Sequence, residues 1–132
     1  SLTNVIIDNE SDQVASILDW ELSTLGDPMA DFSYHCLQYK LNPIISDAAQ
    51  CKNLGIPTEK EYLKLYADKV DYYIDSEWDL YMSFNLFKLA GISQGIMGRV
   101  RDGTAAGVNA EETGMRARLL AESAWDLVKD RT

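Results

Sequence analysis

Between Trp78 and Val100 the sequence is apolar on almost every side of a would-be helix: Leu80, Tyr81, Met82, Phe84, Leu86, Phe87, Leu89, Ile92, Ile96 and Met97 leave it no clear polar face. A helix that is apolar all round is buried all round. The stretch is therefore expected to be the central helix of a mainly α domain, starting near Ser76 or Glu77. Residues 80–98 carry one charge, Lys88. Ser83, Asn85, Ser93, Gln94 and the glycines nevertheless argue for a buried helix rather than a membrane span, and no membrane partner is expected. Gly91, Gly95 and Gly98 would weaken the helix in isolation, so another backbone is expected to pack closely against them.

The remaining helices carry their own start signals. Asp27-Pro28 is a capping carboxylate followed by proline at the first helical position, and Met29, Phe32, Cys36 and Leu37 recur at helical spacing to about Tyr39. Residues 40–56 read as an irregular connection with breakers at Asn42-Pro43 and Asn53-Leu54-Gly55, and room for a short helix over 46–52. Thr58 and Glu61 form a capping box, after which Tyr62, Leu65, Tyr66 and Val70 are expected on one face. Asn109, with Glu112 three residues on, opens a last helix whose apolar side is Met115, Leu119, Leu120, Ala124, Leu127 and Val128. The aromatic set Tyr62, Tyr66, Tyr72, Tyr73, Trp78, Tyr81 and Phe84 suits a core, with two or three members left to line a pocket.

The front of the chain is different. Asn4-Val5-Ile6-Ile7-Asp8 and Val14-Ala15-Ser16-Ile17-Leu18 read as apolar strands joined by the polar turn Asn9-Glu10-Ser11-Asp12-Gln13. Asn4 begins the first strand and Asp19 ends the second. Antiparallel pairing brings these two ends to the same side, where an amide oxygen and a carboxylate, both hard oxygen donors, would converge. From spacing alone, Asp19 is equally well a metal ligand or a turn cap, and Asn4 a turn residue. A lone hairpin is marginal in water and is expected to lean on the helices.

Charge and cysteine content narrow the function. With 12 Lys and Arg against 21 Asp and Glu the net charge is −9, a surface that repels phosphate backbones, so nucleic acid is not an expected partner. Cys36 and Cys51 make no disulfide framework and suit reduced thiols in a cytoplasmic protein. His35, the only histidine, lies beside Cys36, but adjacent helical residues point apart and no other ligand is suitably spaced. It is read as a packing or hydrogen-bonding residue. Arg99 and Arg101 are read as helix-end cations. The 132 residues suit one domain spanning 1–132, with a hairpin over 4–19 and a helical part over 27–130. Lack of an initiating Met suggests a chain cut from something longer or processed.

The order Asn4, strand, hairpin, strand, Asp19-Trp20-Glu21-Leu22-Ser23-Thr24-Leu25-Gly26-Asp27-Pro28, then Asp31, resembles the aminoglycoside phosphotransferase and choline kinase-like family, which shares the protein-kinase fold. Together with Phe84-Asn85-Leu86-Phe87-Lys88-Leu89-Ala90-Gly91-Ile92-Ser93-Gln94-Gly95-Ile96, it is most similar to the branch found alone or fused to acyl-CoA dehydrogenases. The resemblance implies the C-terminal lobe of a protein-kinase-like fold without its N-terminal lobe: no glycine-rich phosphate loop, ATP-anchoring lysine motif or hinge is present. Asn4 matches the last position of the family's His-x-Asp-x-x-x-x-Asn loop, which places the catalytic Asp five residues earlier, ahead of Ser1. By the same resemblance Asn4 and Asp19 bind Mg2+ and, through it, ATP. Glu21, Asp27 and Asp31 would stand behind these ligands or serve the fold.

The expected function is that of a fragment of an ATP- and Mg2+-dependent small-molecule kinase, passing the γ-phosphoryl group to an acceptor hydroxyl, with nucleotide and acceptor as partners. The branch points to hydroxyacyl-CoA-type acceptors. The fragment alone is expected to be inactive, and to expose an apolar surface where the other lobe would sit, one that self-association could cover. The rival reading is a non-enzymatic helical interaction module or a kinase-like remnant.

Overall fold

The computed structural model describes residues 2–21, 23–42, 45–70, 77–107 and 109–131. Ser1, Leu22, Pro43, Tyr72, Tyr73 and Ser76, named above, lie outside them. A 3-10 turn at Leu2–Asn4 leads into strand β1 (Val5–Ile7), which pairs antiparallel with β2 (Val14–Ile17). Seven helical segments follow: α1 (Pro28–Cys36), α2 (Gln38–Leu41), α3 (Ala48–Asn53), α4 (Glu59–Val70), α5 (Trp78–Arg101), α6 (Ala110–Met115) and α7 (Ala117–Asp126). The architecture is mainly α with one small hairpin. Among the described residues no helix is long and apolar enough to cross a membrane.

Local chemistry sets the boundaries. The Asp27 carboxylate accepts from the Met29 amide at 2.8 Å at the start of α1, ahead of Pro28. At α4 the Glu61 carboxylate accepts from the Thr58 amide at 2.8 Å and from its hydroxyl at 2.7 Å, the reciprocal arrangement of a capping box. Gly103, at φ +70, closes α5: its own amide reaches Val100 O and the Thr104 amide reaches Arg99 O, a Schellman cap that needs the left-handed residue.

The core is built on one face of α5. Met82, Leu86 and Ala90 meet Met29, Phe32 and Cys36 of α1, Leu37 just after it, and Leu120 and Ala124 of α7. Each of the Met, Leu and Phe side chains among them contributes roughly 1.5–3 kcal/mol by leaving water. Phe32 stacks on Tyr66 with ring centroids 3.7 Å apart and is tilted against Tyr62 and Trp78, which fastens α4 to α1. Polar groups on α5 aim at its neighbours. Ser83 Oγ donates to Ala124 O at 2.7 Å. Asn85, 1% exposed, donates through Nδ2 to Ala30 O at 2.9 Å and to Ser33 Oγ at 2.8 Å. Both cysteines are free and buried; burial, helped by Glu59, pushes the Cys36 thiol up to about 12.

Several expectations fail in instructive ways. Helix α5 is not buried all round: Leu80, Phe84, Phe87 and Ile92 are exposed, Phe87 at 67%. The helices of this chain cover only one side of it, so its apolar character reports a surface they leave bare. Among the described residues no backbone crosses Gly91, Gly95 or Gly98, where an added Cβ would meet nothing within 4 Å. The close approach is at Gly114 on α6 instead, where a Cβ would lie 2.9 Å from Met97 Cβ. The hairpin does not bury itself either, and Ile17 is 51% exposed. On α4 it is Tyr62, Leu63 and Tyr66 that pack on the core, while Leu65 and Val70 face out. The first helix breaks at Leu37 and resumes as α2. The last helix is broken at Arg116, Asn109 makes no side-chain cap, and Met115 and Leu119 are exposed. On either side of the Arg116 break, α6 and α7 both pack on α5, and helical period alone does not register the break.

Candidate functional site

The site assembles where the hairpin opens. The Leu18 amide donates to Asn4 O at 2.8 Å, extending the ladder one step beyond the strands and fixing Asn4 opposite the exit of β2. One residue further on, Asp19 turns the chain. It stands at φ +65, a left-handed conformation that costs a residue with a Cβ about 1–2 kcal/mol and that Asp tolerates better than most. The turn brings its carboxylate across the mouth of the hairpin, where Oδ2 accepts from Asn4 Nδ2 at 2.8 Å. Both groups sit at the surface rather than in the core. The turn is tightened by neighbours: the Trp20 indole donates to Ile17 O at 2.6 Å, and the Ser23 amide and hydroxyl both reach Trp20 O.

At the far end of the hairpin a different carboxylate organises the loop. Asp8 Oδ1 accepts from the amides of Glu10 at 2.8 Å and Ser11 at 3.1 Å, and these amides hold its carboxyl below the usual range. Asp8 is thereby engaged in the turn, and the Asn4–Asp19 pair is left as the polar feature of the open end.

Could this pair hold Mg2+? The donor chemistry fits. Mg2+ takes hard oxygens and is bound through one or two carboxylates plus substrate phosphates and water, without an all-protein cage. Among the described residues no cluster of three His, Cys, Asp or Glu side chains forms a metal cage. Asn4 turns its Nδ2 toward Asp19; a half-turn of the amide would present Oδ1 in its place, so the hydrogen bond and a shared ion are alternative uses of one geometry. Asn4 and Asp19 are the residues that would hold the ion.

The other acidic candidates separate from this pair. Glu21 is exposed, with no hydrogen bond or ion pair among the described residues. Asp27 caps α1 and accepts from the Tyr81 hydroxyl of α5; that hydroxyl, and then the Met29 amide, hold its carboxyl below the ordinary range. Asp31 is exposed in the first turn of α1, and its charge acts to raise the His35 pKa. Burial outweighs that effect and lowers the His35 pKa, while His35 Nε2 lies 3.1 Å from the Tyr62 hydroxyl. A packing and hydrogen-bonding role for this histidine follows. Two features were missed in the sequence. The Tyr81–Asp27 contact joins residues far apart in the chain, with no local signal. The buried Asn85 marks the apolar helix with an amide, but its partners on α1 are too distant in the chain to be read from it.

Comparison with known proteins puts this geometry in context. Residues 1–66 match the model of the phosphotransferase enzyme family. The chain is 40% identical over 130 residues to mouse acyl-CoA dehydrogenase family member 10, covering 95% of this chain and 12% of the relative. It is 32% identical to mouse acyl-CoA dehydrogenase family member 11, covering 97% of this chain and 17% of the relative. A crystal structure from Ralstonia eutropha JMP134, assigned as an aminoglycoside phosphotransferase, superposes with a TM-score of 0.87 at 43% identity, covering 96% of this chain and 39% of that one. The chain thus spans less than a fifth of these curated relatives and about two fifths of the solved structure.

Proposed function

Because this chain belongs to the phosphotransferase enzyme family, we propose that it forms part of an ATP- and Mg2+-dependent kinase that transfers a γ-phosphoryl group to the hydroxyl of a small molecule. The observation that carries this reading is the Asn4–Asp19 pair, held 2.8 Å apart across the hairpin mouth with Asp19 in a left-handed backbone conformation. Strain of that kind persists where surrounding structure holds it, and it concentrates at functional sites. When bound, an ion held by Asn4 and Asp19 would supply positive charge to offset that on the transferring phosphoryl group.

The chain's own residues do the positioning. The ladder bond from Leu18 to Asn4 O sets the spacing of the two ligands, and the Trp20 and Ser23 contacts keep the turn from relaxing. Asp27, engaged by Met29 and Tyr81, fastens the loop after Asp19 to the helical body. Glu21 and Asp31 remain close in sequence to these groups without touching them, in supporting roles at most. The proton of the acceptor hydroxyl is taken or oriented by an Asp that precedes Asn4 by five positions, outside this chain. Relatives named as acyl-CoA dehydrogenase family members favour a hydroxyacyl-CoA-type acceptor.

Asp19→Asn in the intact protein tests the reading. Asn keeps the size and can still accept from Asn4, but it loses the charge that holds the metal. Phosphorylation of a panel of hydroxyacyl thioesters should lose roughly a hundredfold or more in kcat, the scale of a lost preorganised electrostatic group. Mn2+ binding, followed by electron paramagnetic resonance, should weaken in parallel, with the unfolding temperature little changed. Near-normal kcat and Mn2+ affinity with an intact fold would remove the pair from the mechanism.

A further inference from the structure

A cavity of about 490 Å3 opens on the side of the helical body where α2, the middle of α5 and the α6–α7 break meet. Leu41, Leu89 and Leu120 line it with hydrocarbon, while Ser93, Thr113 and Arg116 supply polar groups. This is the size and make-up of a small-molecule site: concave, largely apolar, with a few polar groups in fixed places.

Two of those groups are in a condition that the fold does not require. Ser93 is 5% exposed, yet among the described residues its hydroxyl has no hydrogen-bond partner. Among the described residues no side-chain polar atom is both sealed from solvent and unpartnered, so the Ser93 hydroxyl opens onto the cavity. Its free bonding capacity can be used only by something in the cavity. Arg116 closes α6 and opens α7, and among the described residues its guanidinium has neither ion pair nor hydrogen bond. That is notable in a chain with 21 acidic residues.

From these observations we propose that the cavity binds a short aliphatic monocarboxylate. The carboxylate is received by the Arg116 fork, for which its planar geometry is the match. The carbon chain lies against Leu41, Leu89 and Leu120, and the Ser93 hydroxyl meets the carboxylate's second oxygen or a polar substituent on the chain. A single-charge head is favoured over a phosphate ester. One guanidinium neutralises one charge, and the surrounding net charge of −9 opposes a second. The proposal does not depend on the phosphotransferase reading.

The test is isothermal titration of the intact protein, without nucleotide, using hexanoate, hexanol and hexyl phosphate. Hexanoate should saturate one site. Arg116→Gln should weaken it at least tenfold, as expected for loss of a charge-assisted pair. Ser93→Val, which removes the hydroxyl and fills part of the space, should weaken it several-fold, and hexanol should bind at least tenfold less well than hexanoate. Arg116 is exposed, so its variant should fold even if the Ser93 variant does not. Failure of hexanoate to saturate, equal binding by Arg116→Gln, or equal binding of hexanol would overturn the proposal. Tighter binding of hexyl phosphate than of hexanoate would overturn the assignment of the head group.

Discussion

Replacing the amide of Asn85 with a carboxylate changes the chemistry of the α1–α5 contact without changing its shape. Asn85 is 1% exposed, and its Nδ2 serves Ala30 O at 2.9 Å and Ser33 Oγ at 2.8 Å. In Asn85→Asp, the neutral acid keeps one O–H for these two partners, so one hydrogen bond is lost at about 1 kcal/mol. The ionised form is far worse, since a charged oxygen would then be buried and face the Ala30 carbonyl oxygen. The protein resists this by raising the folded-state pKa, by about 3 units for a group this buried. The unfolded chain titrates at the ordinary value of about 3.9. Between those two values the folded state holds more protons than the unfolded state, so stability falls as pH rises. The variant's neutral-acid stability is fully present below about pH 3.9 and is lost as pH climbs through the folded pKa, at about 1.4 kcal/mol per unit, or roughly 4 kcal/mol by neutral pH. That is a large share of a domain's usual 5–15 kcal/mol. Urea unfolding of parent and variant at pH 4 and pH 7.5, followed by tryptophan emission, measures the gap. It should be about 1 kcal/mol at the lower pH and about 5 kcal/mol at the higher, by the same arithmetic. A gap that stays constant within about 0.5 kcal/mol would show that Asn85 is not a buried donor, and would refute the α1–α5 contact as described.

Gly114→Ala should destabilise by about 1–3 kcal/mol, since the new methyl meets the Met97 Cβ at 2.9 Å and the α5–α6 contact must open. Gly95→Ala, with open space around it, should raise stability by about 0.5–1 kcal/mol; thermal melts of the two variants should therefore move in opposite directions. For His35, whose pKa burial lowers, the unfolded state binds the extra proton first, so its contribution to stability is complete above about pH 6.5 and is lost as pH falls through the folded value. A His35→Gln variant should flatten the stability profile in that window and leave it unchanged at pH 8.

What could be read in the sequence was local. The Asp27-Pro28 start of α1 and the Thr58–Glu61 box are pairs only two or three residues apart, and both stand as expected. The two strands followed from apolar runs around a polar turn, and their antiparallel pairing placed Asn4 beside Asp19. What failed was anything that depends on which neighbour a surface meets. An apolar stretch with no polar face, such as α5, does not say which side is covered, so Phe84 and Phe87 were taken for core. The left-handed turn at Asp19 leaves no trace in residue type, because Asp is as common in ordinary turns. Asn85 reaches partners 52 and 55 residues away, and no window along the chain contains both ends.

The arrangement around α5 also sets an order of folding. Its most extensive packing is with α7 and α6, the elements next along the chain, joined to it by one short loop. Its contact with α1 must close a loop from Pro28 to the far side of Trp78, at greater entropic cost. Nearby contacts form sooner than distant ones, so the α5–α6–α7 unit should condense first and α1 should dock onto it afterwards. Leu120→Ala should then slow refolding, while Phe32→Leu should mainly speed unfolding. During synthesis the hairpin leaves the ribosome ahead of α1–α7, yet the loop at Asp27 finds Tyr81 only once the chain 54 residues further on has followed it. Asn4 and Asp19 are thus made before the helices that hold their loop in place, and that loop is anchored only once α5 has been made.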